Sequence, residues 1–477
     1  MKSQESIYFV GLSGIGMATV AGLVKEAGYT VLGSDQNIFP PASDLLREMN
    51  IPVLTPYARQ NVEAHAQSLF VIGNSLSAKH PEIAAIVEKG LPYKSFPQLL
   101  NELFLQNTKN VVVCGTHGKT TTSSLLAFCL MSLGEDPSYM IGGAPHDLGF
   151  GFHVGKGKLF ILEGDEYDTA FFDKGSKFLH YNPSYIVLNH LELDHADIFK
   201  DFEAVKATFH KLLDLAPSTS VVANPDDSGV GDLMQEHGWE MVHAADVRLK
   251  GMPRFGGGIW QGDFETKLWG TLHVSTSLPG AYNFSNIAQV LRTLSLLTEK
   301  GELRRSPTRT DLELILAKFH GVAKRFDRLS SQAGVDVYLD FAHHPTAVRN
   351  VLQNLRQMHP HSRIIVAFEP KNATSRRSIF QHEFAEVFKL ADVALIGPTP
   401  HDPRLSDKEK LDTHLLAESI SKDARAFSDF ESLGVWLQTN YGKGDVVAFL
   451  TCGDFGGVHR TFVKWLETTN SLRIAKL

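Results

Sequence analysis

Val111-Val112-Val113-Cys114-Gly115-Thr116-His117-Gly118-Lys119-Thr120 reads as a buried β-branched strand that runs into a glycine-bearing loop and then a helix. Backbone N–H groups freed at such a helix start cradle anionic oxygens. Lys119 is placed to reach the β- and γ-phosphates of a nucleotide, and the Thr120 hydroxyl to ligate Mg²⁺, with Thr121 beside it. The general phosphate-loop pattern has a glycine five residues before Gly118, and that position is Val113. The loop is therefore a shorter variant in which Gly115 makes the turn. A plain structural turn is the alternative, and the strand–loop–helix context favours phosphate over it. The helix is expected over Lys119 to Leu133, with Gly134 placed to end it.

One hydroxyl cannot hold magnesium, so further ligands are sought at strand ends, where open α/β sheets place their ligand crevice. Glu163 follows the apolar run Leu159 to Leu162 and begins Glu163-Gly164-Asp165-Glu166-Tyr167-Asp168. His195 closes Asn189-His190-Leu191-Glu192-Leu193-Asp194-His195. Each cluster alone fits a solvated acidic turn equally well. Two of them downstream of one phosphate loop favour convergence on it. A GTPase would also carry an Asn/Thr-Lys-x-Asp guanine-reading motif, which the chain lacks.

The recurring order of short apolar run, polar turn and amphipathic stretch is the mark of βαβ units and mostly parallel sheets. A chain of 477 residues calls for several domains, and three blocks separate: 1–108, 109–325 and 326–477. Strands are expected at Ile7 to Val10, Thr30 to Leu32 and Leu69 to Ile72 in the first block. Its last helix, Phe96 to Leu105, leads into a polar linker, Gln106 to Asn110. The second block has strands at Val111 to Val113, Leu159 to Leu162, Tyr185 to Leu188 and Val221 to Ala223, and a small β-rich insert at 245–275. The third has strands at Val335 to Leu339, Ile364 to Phe368, Val393 to Ile396 and Val446 to Leu450.

With 46 basic and 53 acidic residues the formal charge is −7, unlike a nucleic-acid-coating protein. Three scattered cysteines give neither a disulfide framework nor a zinc cluster. Ile7 to Val24 carries no charge, but Gly11, Gly14 and Gly16 break it where a strand hands over to a helix, so it is not read as a membrane span. A cytoplasmic protein without membrane insertion is expected. Gly11-Leu12-Ser13-Gly14-Ile15-Gly16, with Asp35 downstream, also invites a dinucleotide reading and hence an NAD(P)-dependent oxidoreductase. Ser13 stands where that fingerprint needs its second glycine. A nucleotide diphosphate at this helix start is the alternative, and a non-catalytic nucleotide-binding module is a further one.

Together these motifs resemble the Mur ligase family, along essentially the whole chain. The resemblance is carried by the N-terminal glycine loop with Ser34-Asp35, the Gly-Thr-His-Gly-Lys-Thr loop, and the Glu163 and His195 clusters. It continues through Leu278-Pro279-Gly280-Ala281-Tyr282-Asn283 with Asn286, then Arg325, and Asp340-Phe341-Ala342-His343-His344-Pro345. It implies a three-domain α/β architecture: a Rossmann-like N-terminal domain, a central P-loop ATPase domain and a Rossmann-like C-terminal domain. The activity implied is ATP-dependent amide-bond formation through an acyl phosphate. Two branches of the family use UDP-N-acetylmuramate as acceptor. One adds L-alanine, and the other adds the recycled murein tripeptide L-Ala-γ-D-Glu-meso-diaminopimelate. Asp165 to Lys174, Ser176-Lys177-Phe178, Phe39-Pro40-Pro41 and Phe455 to His459 are similar to the tripeptide branch.

By the same resemblance, ATP is bound by Gly115, Thr116, His117, Gly118, Lys119, Thr120, Thr121, Asn283, Asn286, Arg325, Asp340 and His343. Thr120, Glu163 and His195 hold Mg²⁺, and Lys119, Glu163 and His195 carry catalysis. The UDP-sugar falls to Gly11, Ser13, Gly14, Gly16, Ser34, Asp35, Asn74, Ser75 and Glu166. Lys371, Arg376 and Arg377 are candidates for clamping the peptide's carboxylates; a solvated basic turn is the alternative. The sequence departs from the family pattern in places. The glycine loop is more like the alanine-adding branch, Tyr282 stands where a histidine is common, and Lys371 stands where an arginine is expected. Some branches carry a carbamylated lysine after the magnesium histidine. Here Phe209 takes that position, with Lys206 and Lys211 out of register, so no such role is assigned.

Overall fold

The computed structural model describes residues 6–420 and 423–474. The opening stretch forms the strand Lys109–Cys114, whose residues from Val111 to Cys114 are fully buried. Parallel strands covered on both faces read as continuous apolar runs, and this one does. Its sheet has the order Val221–Ala223, Tyr185–Leu188, Lys109–Cys114, Leu159–Glu163, Ser138–Met140, Phe152–His153, parallel except for the last pair. Chain order reverses on either side of Lys109–Cys114, and such a switch point opens a crevice beyond the strand's carboxyl end. The phosphate loop occupies it.

The first sheet is five-stranded and parallel, ordered Val53–Leu54, Thr30–Ser34, Ser6–Val10, Leu69–Ile72, Tyr93–Ser95. The third has six strands, of which Asp336–Asp340, Val446–Leu450, Ile364–Phe368, Val393–Ile396 and Asp423–Ala426 run parallel. Asp327–Ser330 closes its edge antiparallel. The insert is an antiparallel three-stranded sheet, Val247–Gly256, Ile259–Thr266 and Gly270–Thr276.

One expectation fails at the first junction. Lys109 and Asn110 belong to the strand rather than to a polar linker, and the preceding helix ends at Leu103. Asn110 is buried because its side-chain amide donates to the carbonyls of Leu105, Tyr181 and Asn182. A buried amide with its hydrogen bonds made is tolerated in a core, and composition alone does not show that.

The first and central blocks share one apolar core, which runs from Phe9 and Leu23 through Phe152 to Phe209. At the seam the Phe152 ring lies where a Gly22 Cβ would stand, 2.3 Å from its ideal position. The third block has separate cores on the two faces of its own sheet. The chain enters it through Lys324 and Phe326, both with positive φ (59° and 57°). Asp340 fixes this bend by accepting the Phe326 and Ala342 N–H groups, each at 2.7 Å.

Candidate active site

At the end of Lys109–Cys114 the chain turns through Gly118 (φ 83°), which caps the helix Lys119–Ser132. A Cβ at Gly118 would stand 2.4 Å from Asn286 Oδ1 and 2.6 Å from Asn189 Nδ2. Backbone therefore approaches these two amides closely. A Cβ at Gly115 would stand 2.8 Å from His190 O, and Thr116 N donates to His190 O at 2.6 Å.

The Lys119 ammonium donates to Gly115 O at 2.6 Å and to both Glu166 oxygens at 3.0 and 3.1 Å. Glu166 also meets His195 Nε2 at 3.1 Å, and Tyr167 packs on the His195 ring with centroids 4.2 Å apart. Burial favours the neutral amine of Lys119, but Glu166, with Asp165 and Glu163 behind it, outweighs burial and raises its pKa. Burial likewise opposes the Glu166 carboxylate, and Lys119 and His195 overcome it to hold its pKa low. His195 is raised for the reciprocal reason, burial being outweighed by Glu166.

Thr120 Oγ1 donates to Glu163 Oε1 at 2.9 Å, and Glu163 Oε2 accepts Gly142 N–H at 2.7 Å. Asp165, Glu166 and His195 offer ligand atoms within 4.8 Å of one another. The buried Nδ1 of His195 has no hydrogen-bond partner among the described residues. Carboxylate oxygens, one hydroxyl and one imidazole form a donor set suited to a hard divalent cation. The residues present thus fit Mg²⁺.

The loop is met directly by Arg325, at the end of the second block, and by His344 of the third, whose ring lies 5.2 Å from that of His117. Arg325 Nη2 lies 3.3 Å from Thr120 Oγ1, and its guanidinium stacks on Phe341 at 4.6 Å. His343 Nε2 meets Asp194 Oδ2 at 3.3 Å. Glu192 is bonded to His117 on one side, and to His344 Nδ1 (3.1 Å) and the Thr346 hydroxyl (2.9 Å) on the other. Burial lowers the His117 pKa despite Glu192. For His344 the pull of Glu192, Asp194 and the Leu193 carbonyl outweighs burial and raises it. The two imidazoles that share Glu192 are thus shifted in opposite directions. Buried Asp340 is raised by desolvation, which its arginine and backbone partners only partly offset.

One cavity of about 530 Å³ takes in Gly16 and Phe96 from the first block. It also takes in the residues from Thr116 to Thr121, Glu163, His195, Asn283 and Asn286 from the second, and Asp340 and His343 beyond the bend. Most of the expected nucleotide and metal residues thus converge, with Tyr282 among them. Asn283 and Asn286 are joined amide to amide at 2.9 Å. Glu166, expected at the UDP-sugar, lies between Lys119 and His195.

In the N-terminal loop, Ser34 O accepts Gly11 and Leu12 N–H, and Asp35 accepts Ser13 N–H at 2.7 Å. Gly14 caps the helix Ile15–Glu26, and Ser34 donates to Glu82. Asn74 and Ser75 are exposed beyond the strand Leu69–Ile72. The Lys371–Arg377 turn lies apart from the nucleotide residues, but Thr374 Oγ1 accepts Ala196 N–H at 3.2 Å, so the turn abuts the His195 segment. Arg376 pairs with Asp402 at 3.2 Å, half-exposed Lys371 lies 3.9 Å from Glu369, and Arg377 Nε is buried without a hydrogen-bond partner among the described residues. Phe209 is packed on Phe178 at 5.3 Å, while Lys206 is tied to Glu203 and Glu236.

Sequence reasoning did not single out Asp165, Glu192 or Thr346 as site residues. The signal for Glu192 was its place beyond a strand end, three residues before His195.

Family models match in succession along the chain: the Mur ligase family catalytic domain over residues 6–108, the Mur ligase middle domain over 113–294, and the Mur ligase glutamate ligase domain over 324–453. The chain belongs to the Mur ligase family, whose members are ATP-dependent amide-bond-forming enzymes. It is 32% identical to the UDP-N-acetylmuramate–L-alanyl-γ-D-glutamyl-meso-2,6-diaminoheptandioate ligase of Escherichia coli K12, over 96% of this chain and 98% of that one. It is 33% identical to the UDP-N-acetylmuramate–L-alanine ligase of Paenarthrobacter aurescens, over 94% and 96%. The crystal structure of a murein peptide ligase from Psychrobacter arcticus superposes with a TM-score of 0.70 at 26% identity, covering 97% of this chain and 98% of that one.

Proposed function

We propose that the protein joins the tripeptide L-Ala-γ-D-Glu-meso-diaminopimelate to the carboxyl group of UDP-N-acetylmuramate, with ATP and Mg²⁺, in peptidoglycan recycling in the cytoplasm. The supporting observation is the single cavity in which a phosphate loop, a carboxylate–imidazole cluster and the entrance to a third block meet. In this reading residues 1–108 bind the UDP-sugar, 109–325 bind ATP, and 326–477 present the amine.

The chemistry brings two anions together, the acyl-donor carboxylate and the γ-phosphate, so neutralisation and positioning dominate. Lys119 neutralises the phosphates once it exchanges Glu166 for them. Thr120, Glu163 and His195 hold Mg²⁺, which supplies Lewis-acid charge neutralisation when bound. Asn283, Asn286 and Arg325 face the nucleotide from the central block, and Asp340 and His343 from the third. Attack of the carboxylate on the γ-phosphorus breaks its bond to the β–γ bridging oxygen, which releases ADP and gives an acyl phosphate. The incoming amine then displaces phosphate, and docking of the third block keeps water out. A tripeptide ending in diaminopimelate is rich in carboxylates. The cationic Lys371–Arg377 turn, adjoining the His195 segment, supports that amine over a single amino acid.

The second reading is the alanine-adding ligase, favoured by the N-terminal loop. Purified protein with ATP, Mg²⁺ and UDP-N-acetylmuramate, offered the tripeptide or L-alanine, separates the two. Phosphate release and product mass are expected with the tripeptide. Turnover with L-alanine alone would sink this assignment, and release with neither amine would sink both.

A further inference from the structure

Lys177 opens the one-turn 3₁₀ helix Lys177–His180, and Tyr181 follows it. Both line the central cavity, on the side where Phe96 of the first block meets Glu163 and Asp165 of the second. The Lys177 side chain is 7% exposed. Its Nζ lies 5.9 Å from the Phe96 ring centroid and 5.5 Å from that of Tyr167. Among the described residues its hydrogen bond is to Asp165 Oδ2, at 2.6 Å, although an ammonium has three N–H donors. The Tyr181 ring is fully buried, and its hydroxyl has no partner at all among the described residues.

The spare donors of a buried ammonium and the buried hydroxyl beside it are left without an acceptor among the described residues, and buried polar groups call for one. Their position narrows what it is. They line the same cavity as Gly16 of the glycine-loop helix and Lys119 of the phosphate loop, and Asp165, bonded to Lys177, also feels the Lys119 charge. Resting on the ligase reading above, we propose that Lys177 and Tyr181 form the subsite for the acyl-donor carboxylate of the UDP-sugar. Each donates a hydrogen bond to the ionised carboxylate, Lys177 as an ammonium and Tyr181 as a neutral hydroxyl, while one of its oxygens is directed at the γ-phosphorus. Asp165 Oδ2 takes one of the three N–H donors of the ammonium and positions it, which leaves donors for the ligand carboxylate.

UDP-N-acetylglucosamine is the same nucleotide sugar without the lactyl carboxylate, so the pair of ligands isolates the contact. Calorimetric titration of both ligands into wild type, Lys177→Met and Tyr181→Phe tests it. Met keeps the apolar stem between Phe96 and Tyr167, and circular dichroism verifies that each variant is folded. Loss of a hydrogen bond to a charged group is expected to weaken UDP-N-acetylmuramate about ten- to hundredfold in Lys177→Met. The loss in Tyr181→Phe is expected to be about tenfold. UDP-N-acetylglucosamine should change by less than about threefold in either variant, as for an interaction the ligand does not make. Equal weakening of both ligands in both variants, or of neither ligand, overturns the subsite and leaves the ligase reading standing. Wild type that binds neither ligand overturns the ligase reading itself, and the subsite with it.

Discussion

Lys119 carries two roles that a single substitution confounds. In the proposed reaction it is the phosphate cation of the loop, and it is also the partner that makes burial of Glu166 tolerable. Removing one member of a buried pair leaves the other uncompensated and costs roughly 3 kcal/mol or more. Lys119→Ala is therefore expected to lose turnover by a factor of about 10³ or more and also to unfold at lower denaturant. Adding Glu166→Gln should restore much of the stability and none of the turnover, as read by urea unfolding and phosphate release. Recovery of turnover in the double variant would mean that the loop lysine acts through Glu166 alone.

His344 shows the same dependence on surroundings across the junction between blocks. Its pKa is raised in the folded protein, so its contribution to stability is complete below its unfolded value of about 6.5. That contribution is lost as pH rises through the folded value. The stability gap between wild type and His344→Gln should be widest near pH 6 and narrow at alkaline pH. A gap that widened with pH would place the proton elsewhere in the His117–Glu192–His344 cluster.

At the scale of elements, the helix Ile15–Glu26 meets the strand Phe152–His153 through a glycine that leaves room for a ring. Gly22→Ala requires the Phe152 ring or the helix to move, and overpacking of this kind costs about 1–3 kcal/mol. Denaturant unfolding should show that loss, whereas Gly28→Ala would test left-handed backbone strain instead. An unchanged midpoint for Gly22→Ala would show that the seam repacks freely.

The elements that sequence reveals best are those whose residues all serve one purpose. Val111 to Val113, Ile364 to Phe368 and Val446 to Leu450 are apolar throughout, and their strands are where the apolar runs stand. Asn110 was misread because its burial depends on carbonyls at Leu105, Tyr181 and Asn182, the last two some 70 residues away. The same reason hid Glu192. Its partners His117, His344 and Thr346 come from two other segments, and no local spacing reveals them. Loop residues from Gly115 to Thr121 were legible because the motif is contiguous.

Across the whole molecule the cores divide unequally. The first two blocks share one apolar cluster, and the third keeps its own on both faces of its sheet. Its tie to the central block includes polar contacts of His343 with Asp194 and of His344 and Thr346 with Glu192. Polar, partly hydrated contacts exchange more readily than a packed core. That division suits an enzyme that must open for a bulky peptide and close over a water-sensitive intermediate.

The central claim is that the carboxylate of the UDP-sugar attacks ATP within this cavity before the amine arrives. It is tested most directly with UDP-N-acetylmuramate carrying ¹⁸O in both carboxylate oxygens, incubated with ATP, Mg²⁺, the enzyme and the tripeptide and L-alanine together. Mass analysis of both products should show one ¹⁸O in each phosphate released, the other retained in the new amide, and tripeptide as the amine joined. Phosphate free of ¹⁸O, or L-alanine as the joined amine, would contradict it.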